Sequence, residues 1–378
     1  MAISSRANTF FSVPINIVHL SFAMLIPTLA NPTSMQEIPT DLTVLGMTVF
    51  SYKRSDPMER KNVLILFPCP DSVRENLIAN FSDRCDLVFE TENYQPRLEA
   101  AHIIIGEPKN HEFALCRNLE FMQSPSSGVN YYVDGGCFPK NAILCSSTGC
   151  YGNIIAEHML AMTLSLCRRL PEYQTQQNSH LWKKLYYDKQ LEDCTVLILG
   201  AGDIGTTLAK WLRPMVKRII GIRRTVGEFP DCYDEMHTTE ALDDHIGNAD
   251  IILCALPHTP ETAGLLNRHR LAAMKQDAVL VNGGRGSLID QDALCDLLDA
   301  GHFYGVGLEV TSPEPLPADH PLWDKPRCII TPHASGNTFG PDSPLVRKIW
   351  THMTTNLAAY LEGNPLRSRA DFSTGYCK

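Results

Sequence analysis

Apolar and polar positions form a repeating pattern from about residue 58 onward. Short apolar runs, of the kind that form buried strands, alternate with longer segments whose apolar residues recur every three or four positions. The first such runs are VLILF, DLVFE, AHIIIG, LEFMQS and AILCSS. Strands alternating with helices favour parallel sheets covered by helices. The pattern therefore predicts an α/β fold.

A long helix is predicted in the middle of the chain, from about Tyr151, over GNIIAEHMLAMTLSLCRRL. We expect it to end at Pro171, because proline disrupts a continuing helix. It separates the first set of strands from a second set, which begins in Thr195–Ile222 with a strand, a glycine turn, a helix and a second strand. This position predicts a helix between two domains that also offers a subunit contact.

The first 57 residues do not follow this pattern. Ile15–Ala30 is mostly apolar, but it falls short of the roughly 20 apolar residues that span a bilayer. We expect residues 1–57 to be a disordered or spurious extension, with a targeting segment as the alternative, and we expect no stable membrane insertion.

Composition and charge narrow the class of protein. The chain has 378 residues, 44% hydrophobic and 20% charged, which is typical of a globular protein with a substantial core. The net charge of −9 comes without a basic run, so nucleic acid is not expected as a partner. Thirteen cysteines without CxxC pairs or zinc spacing favour reduced thiols, a cytoplasmic location and no metal site.

The glycine turn of the second block has the spacing of a dinucleotide-binding loop. In the order strand, Gly200-Ala-Gly202-Asp-Ile-Gly205, helix, each glycine has its own physical role. Gly200 permits the tight turn, Gly202 lets the backbone approach a pyrophosphate, and Gly205 lets the helix pack closely on the strand. The N–H groups at the start of the helix complete a phosphate site.

The end of the next strand indicates which dinucleotide is bound. An acidic residue there would bond the ribose 2′-hydroxyl of NAD, but the chain has Arg223, Arg224 and Thr225. A guanidinium suits a 2′-phosphate in geometry and charge. The sequence favours NADP(H), with NAD(H) as the alternative.

An arginine between glycines follows another predicted strand, Ala278–Asn282, in VLVNGGRGSLID. Ligands of open α/β sheets lie beyond the carboxyl ends of the strands. We therefore expect Arg285 to point into the ligand crevice.

Four motifs in order, GAGDIG, VNGGRGSLID, GVGLEVTSPEPLP and ITPHASG, resemble the D-isomer-specific 2-hydroxyacid dehydrogenase family over most of the chain from residue 58. The residues of these motifs are most similar to those of its glyoxylate/hydroxypyruvate reductase branch. The resemblance implies two Rossmann-like, doubly wound parallel-sheet domains separated by a cleft, assembled as a homodimer. It implies a substrate domain of 58–155 completed by 340–378, around a dinucleotide-binding domain of 156–339.

The same resemblance implies catalytic roles for Arg285, Glu314 and His333. A forked cation can hold the adjacent carboxylate and carbonyl of a 2-oxo acid. Hydride transfer to the carbonyl leaves a negatively charged oxygen, which a histidine can protonate near neutral pH. The glutamate would orient the imidazole and favour its protonated form.

The remaining expected site residues surround these three. The expected substrate contacts, besides Arg285, are Ser127, Gly128 and Val129, in the loop QSPSSGVN. The expected cofactor contacts are Gly200, Gly202, Asp203, Ile204, Gly205, Arg223, Arg224, Thr225, Leu256, Pro257, Thr262, Gly283, Glu309 and Gly336. Two positions depart from the family pattern: Glu309 stands where Asp is common, and Gly284 stands where a small apolar residue is common.

The resulting prediction is NAD(P)H-dependent reduction of a small 2-oxo acid of the glyoxylate or hydroxypyruvate type to the D-2-hydroxy acid. The alternative on the same fold is a dinucleotide-sensing interaction protein similar to the family's transcriptional co-repressors. Oxidation of formate or phosphonate is disfavoured, because Glu314 is present where the formate enzymes lack a glutamate.

Overall fold

A computed structural model describes residues 60–336, 340, 343–372 and 376–377. The expectations for residues 1–57, a disordered extension or a targeting segment, lie outside the described residues. Within the described ranges, no helix combines the length and the apolar character needed to cross a bilayer.

The first sheet of the described chain contains five parallel strands. They are β1 (Lys61–Ile65), β2 (Cys85–Phe89), β3 (Ile103–Ile105), β4 (Phe121–Gln123) and β5 (Ile143–Cys145). Helices α1 (Asp71–Phe81) and α2 (Asn130–Asp134) follow β1 and β4. The strand order is β2-β1-β3-β4-β5, so the direction of the winding reverses at β1. This is one of the two common doubly wound orders.

The second sheet contains seven parallel strands of the described residues. They are β6 (Thr195–Leu199), β7 (Arg218–Ile222), β8 (Glu235–His237), β9 (Ile251–Cys254), β10 (Val279–Asn282), β11 (Gly305–Leu308) and β12 (Cys328–Ile330). Its order is β12-β11-β10-β9-β6-β7-β8, with the reversal between β6 and β9. Ligands of such sheets bind beyond the strand ends at that reversal, where the predicted glycine turn lies.

Helices cover both faces of the second sheet. They include α5 (Asp203–Leu212), α6 (Leu242–Ile246), α7 (Arg268–Ala273) and α8 (Gln291–Asp299). Side chains of β6 alternate between two apolar clusters, with Leu197 and Leu199 in one and Val196 and Ile198 in the other. A strand buried on both faces reads as a continuous apolar run. The predicted doubly wound α/β fold is confirmed.

The helix between the two sheets ends before the predicted residue. Helix α3 spans Gly152–Cys167, and a second helix, α4, spans Leu170–Asn178. Between them Arg169 has a left-handed backbone, with φ of 56°, a conformation that commonly ends helices. Pro171 lies in the first turn of α4. Proline is favoured there, because N–H groups of the first turn have no acceptor within the helix. The prediction that Pro171 ends the long helix is therefore wrong: it starts the next one.

The C-terminal helix α9 (Pro344–Leu361) packs on the first sheet. Trp350 is 1% exposed, and its indole N–H donates to the carbonyl of Pro68, 3.0 Å away. The side-chain amide of Asn356 donates to Oε1 of Gln123 on β4 at 2.7 Å. Two short antiparallel strands follow, β13 (Ala370–Asp371) and β14 (Tyr376–Cys377). The end of the chain thus shares a core with its first strands.

Candidate active site

The glycine turn between β6 and α5 has the geometry expected of a phosphate-binding loop. Gly200 has φ of 99°, in the left-handed region that favours glycine, and a Cβ there would lie 2.6 Å from the carbonyl oxygen of Ala255. No described atom lies within 4 Å of the position of a Cβ at Gly202. A Cβ at Gly205 would overlap the carbonyl oxygen of Gly200. The turn therefore leaves an open approach at Gly202, beside the N–H groups that begin α5.

The two residues between Gly202 and Gly205 have side chains directed elsewhere. The carboxylate of Asp203 lies against Gly152 at the start of α3, where a Cβ would be 2.5 Å from its oxygens. Ile204 packs, partly buried, against the core on one face of the second sheet. Only the backbone of these two residues is placed to face a phosphate.

Arg223 follows β7, and part of its guanidinium group is buried. Its Nη2 donates to the carbonyl of Glu228 at 3.0 Å, and its backbone N–H donates to the carbonyl of His237 at 3.0 Å. Its Nε is buried and has no hydrogen-bond partner among the described residues. Arg224 and Thr225 are exposed on the same loop. Leaving a buried donor unsatisfied is unfavourable, so the position suits an added anionic acceptor.

The loop after β9 is held by its own hydrogen bonds. The hydroxyl of Thr262 donates to the carbonyl of Pro257 at 2.6 Å and accepts the N–H of Thr259 at 2.8 Å. The backbone of Leu256 lies close to Gly284, where a Cβ would be 2.5 Å from the Leu256 oxygen. This approach explains the departure at Gly284, because a larger residue would push the loops apart.

Arg285 extends from the end of β10 toward the first sheet. Its Nη1 donates to the carbonyl of Gly284 at 2.8 Å, and its guanidinium occupies the space that a side chain at Gly128 would fill. Burial lowers the pKa of Arg285 from its usual value, and Glu314 acts in the opposite direction. None of the ion pairs among the described residues involves this guanidinium. A partly desolvated cation is therefore available to an anionic ligand.

The loop that touches Arg285 also supplies hydrogen-bond donors. The backbone N–H groups of Ser127, Gly128 and Val129 have no acceptor among the described residues, whereas the N–H of Ser126 donates to the hydroxyl of Ser124 at 3.0 Å. A guanidinium beside three N–H groups that have no acceptor among the described residues is a donor set suited to a carboxylate.

Glu314 and His333 form a hydrogen-bonded pair. Nδ1 of His333 lies 2.8 Å from Oε2 of Glu314, and the two side chains are 48% and 39% exposed. The other carboxylate oxygen of Glu314 accepts the N–H of Thr311 at 3.1 Å. His333 has φ of 51°, and its N–H donates to the carbonyl of Glu309 at 2.9 Å. Nδ1 is thus engaged, which leaves Nε2 as the nitrogen available for proton transfer.

Glu309 is buried, at 1% exposure, and its carboxylate is already bonded. One oxygen lies 3.1 Å from Nε2 of His158 on α3 and accepts the hydroxyl of Thr331. The other accepts the N–H of Ser335. Its expected contact with the cofactor stays a prediction, but its bonds join α3 to the loop that carries His333. His158 is a site residue that the sequence analysis missed, although it is a polar position in an apolar helix.

The last two expected cofactor residues are glycines close to large side chains. A Cβ at Gly283 would be 2.6 Å from the sulfur of Met159 on α3, and one at Gly336 would be 3.4 Å from the ring of Tyr151. The hydroxyl of Tyr151 donates to the carbonyl of Pro125 at 2.8 Å. Tyr151 therefore links the His333 loop to the loop of the first sheet, a role that no local pattern indicated.

The geometry defines a class of protein. Two doubly wound sheets, an open glycine turn, a partly buried arginine beside free N–H groups and a carboxylate–imidazole pair characterise a dinucleotide-binding α/β oxidoreductase.

Comparison with known proteins identifies the family. Residues 160–335 match the model of the D-isomer specific 2-hydroxyacid dehydrogenase, NAD binding domain. The chain is 34% identical over 258 residues to the glyoxylate reductase/hydroxypyruvate reductase of Homo sapiens, covering 66% of this chain and 76% of that protein. It is 31% identical over 265 residues to an uncharacterized protein in the proB 3′ region of Corynebacterium melassecola, covering 69% and 85%.

A solved structure agrees with these relatives. The D-isomer specific 2-hydroxyacid dehydrogenase family protein of Aeromonas salmonicida subsp. salmonicida A449 superimposes with a TM-score of 0.73 at 30% identity, covering 83% of this chain and 100% of that one. The chain belongs to the D-isomer specific 2-hydroxyacid dehydrogenase family. It is an NAD(P)-dependent dehydrogenase of that family, and the predicted resemblance is confirmed.

Proposed function

We propose that the protein reduces a small 2-oxo acid of the glyoxylate or hydroxypyruvate type to the D-2-hydroxy acid, with NADPH preferred over NADH. The observation that carries the proposal is the contact of the Arg285 guanidinium with the loop at Gly128, near the bonded pair of Glu314 and His333. The activity named for the human relative supports the same substrate class.

The substrate carboxylate binds between the first and second sheets in this proposal. The free N–H groups of Ser127, Gly128 and Val129 donate to its oxygens, and Arg285 holds the carboxylate and the neighbouring carbonyl together. Charge-assisted hydrogen bonds of this kind contribute about 1.5–3 kcal/mol each. They orient the carbonyl carbon for reaction as well as bind the acid.

The proton of the reaction comes from His333. Its Nε2 protonates the carbonyl oxygen, while Glu314 holds Nδ1 and stabilises the imidazolium before transfer. The bound dinucleotide supplies the hydride. The open turn at Gly202 and the N–H groups that begin α5 hold its phosphates.

The preference for NADPH rests on Arg223. Its place at the end of β7 suits a 2′-phosphate, and so does its buried Nε, which has no hydrogen-bond partner among the described residues. Glu228, the first carboxylate after this strand end, engages Arg223 through its backbone carbonyl. The guanidinium of Arg223 thus keeps the positive charge that distinguishes NADP(H), which carries a 2′-phosphate, from NAD(H), which does not.

Two domains organise this site in the proposal, a substrate domain of 58–155 with 340–378 and a dinucleotide domain of 156–339. The packing of α9 on the first sheet supports the discontinuous substrate domain. The chain crosses between the domains twice, and these crossings allow the crevice to close and exclude water.

A homodimer is the proposed assembly. The segment after α4 exposes large apolar side chains, with Trp182 at 99% and Tyr187 at 92% exposure. Clustered exposed aromatics are typical of protein interfaces. Light scattering coupled to size exclusion will show a dimer, and Trp182→Ser will shift the protein toward the monomer.

The proposed compartment is the cytoplasm. All thirteen cysteines lie within the described residues and are free thiols, most of them buried. Free thiols in this number persist in a reducing environment.

The test of the proposed function is a steady-state screen of glyoxylate, hydroxypyruvate and phenylpyruvate with NADH and NADPH side by side. Turnover of glyoxylate or hydroxypyruvate, with a higher kcat/KM for NADPH, is the expected result. Tight dinucleotide binding without turnover of any 2-oxo acid would instead support the alternative, an interaction protein that senses the dinucleotide.

A further inference from the structure

Three side chains with metal-ligating atoms meet at one edge of the second sheet. Glu235 and His237 lie two residues apart on the edge strand β8, so both point to the same face. His245 on α6 lies over them, with its ring centroid 4.2 Å from that of His237 and the ring planes 32° apart. One ligand atom from each residue lies within 4.8 Å of the other two. None of the three belongs to the candidate active site.

We propose that Glu235, His237 and His245 bind a divalent transition-metal ion of the Zn²⁺ class. Two imidazoles and one carboxylate are a ligand set that Zn²⁺ takes in proteins, at about 2.0–2.2 Å per bond. Ligand atoms around a tetrahedral ion with such bonds are about 3.4 Å apart. Nε2 of His237 and Oε2 of Glu235 are 3.0 Å apart, so small rotations of partly exposed side chains complete the site.

The two imidazoles lie close enough together to share one ion, with His245 on α6 facing His237 on β8. A neutral imidazole presents a lone pair to a metal. Two adjacent imidazoles are therefore suited to bind one cation through coordination bonds.

Arg218 forms a hydrogen bond with the carboxylate of Glu235. Its guanidinium donates to Oε1, which leaves Oε2 on the side of His237. Hydrogen bonds to ligating carboxylates are typical of metal sites, because they fix the orientation of the ligand. Arg218 also neutralises the carboxylate, so the site depends on its imidazoles and disfavours Mg²⁺ and Ca²⁺, which need several oxygen ligands.

Binding at this position cross-links β8 to α6. The carbonyl of His237 accepts the N–H of Arg223, so β8 also supports the end of β7. A ligand that binds only the folded state raises its stability. Three protein ligands leave one coordination position of a tetrahedral ion open to water.

The experiment uses the full chain with its thiols kept reduced, stripped with EDTA and dialysed, and titrated with ZnCl₂ and CoCl₂. Calorimetry will show one strong site in the wild type. His237→Ala, His245→Ala and Glu235→Gln will each weaken it at least about tenfold. The matched control is His111→Ala, which removes an exposed histidine outside the cluster and will leave the affinity unchanged.

The spectrum of bound Co²⁺ identifies the type of ligand, and separate measurements show whether each variant is folded. Bound Co²⁺ will show d–d bands without the thiolate charge-transfer absorption that a cysteine site would produce. Each variant's NADPH affinity and circular dichroism report whether it folds. Equal Zn²⁺ affinity in the wild type and the three single variants, or a thiolate band at the strong site, would overturn the proposal.

Discussion

The guanidinium of Arg285 occupies the space in which a side chain at Gly128 would stand. Gly128 follows the fourth strand of the first sheet, and Arg285 follows the fifth strand in chain order of the second sheet. The contact joins the two halves of the candidate active site. A larger residue at position 128 therefore tests whether activity depends on the position of the arginine.

Replacing Gly128 with Ala will displace Arg285, because the added methyl group overlaps its guanidinium. We expect kcat/KM for the 2-oxo acid to fall about 100-fold, since a shift of about 1 Å in a positioning group has effects of this size. The dissociation constant of NADPH will not change. Ser126→Ala, in the same loop, is the control, and equal losses in the two variants would contradict the proposed pocket.

Removing the proton donor will affect turnover more than cofactor binding. His333→Gln will lower kcat about 10²–10⁴-fold, the contribution typical of general acid–base catalysis. Glu314→Gln keeps the shape of the partner of Nδ1 but removes its charge, and we expect a smaller loss of kcat. Single-turnover hydride transfer, followed as loss of NADPH absorbance, measures both. Unchanged kcat in His333→Gln would rule out its role as the acid.

The cofactor preference depends on Arg223 in the proposed function. Arg223→Ala will raise KM for NADPH about 10–100-fold, the loss of one or two charge-assisted hydrogen bonds, and will leave KM for NADH nearly unchanged. Arg117→Ala, which removes an arginine of an exposed ion pair, is the control. Equal changes in the two KM values would show that Arg223 does not select NADPH.

The buried carboxylate of Glu309 will prove important for both stability and turnover. Glu309→Gln removes the charge that faces His158 and accepts the N–H of Ser335. A buried donor left without its partner costs about 1–3 kcal/mol, which denaturant unfolding will report. Because the carboxylate of Glu309 also holds Thr331 and Ser335, on either side of His333, kcat will fall as well. Glu75→Gln, on the exposed face of α1, will change neither quantity.

Stability will fall as the pH is lowered below about 6.5, in part because of His352. Burial lowers the pKa of His352, whose Nε2 lies 3.0 Å from the carbonyl oxygen of Ser146. Between its lowered folded pKa and its ordinary value of 6.5, the unfolded chain binds a proton that the folded chain does not. The free energy of unfolding therefore rises with pH across this window, by at most about 1.4 kcal/mol per pH unit for this group.

His352→Gln tests that assignment, because glutamine does not titrate. The difference in unfolding free energy between wild type and variant will depend on pH below 6.5 and become constant above it. His111→Gln, at an exposed position, serves as the control. A constant difference from pH 5 to 8 would contradict the assignment to His352.

Local pattern alone determined the α/β class, the glycine turn and the strand ends. Continuous apolar runs indicate burial on both faces of a sheet, and the glycine spacing before α5 indicates the tight turn of a dinucleotide-binding loop. Pro171 shows the limit of such reasoning, since the same residue can end one helix or begin another, and the left-handed Arg169 decided between them.

Tertiary structure decided which side chains meet. The bond of His158 to Glu309, the place of Arg285 against Gly128 and the cluster of Glu235, His237 and His245 join residues from different strands, helices and loops. No spacing along the chain encodes these contacts, because they depend on the order in which strands pair and on how helices pack across them. Patterns of burial are local properties of a sequence, whereas the chemistry of a site depends on distances that only the folded chain defines.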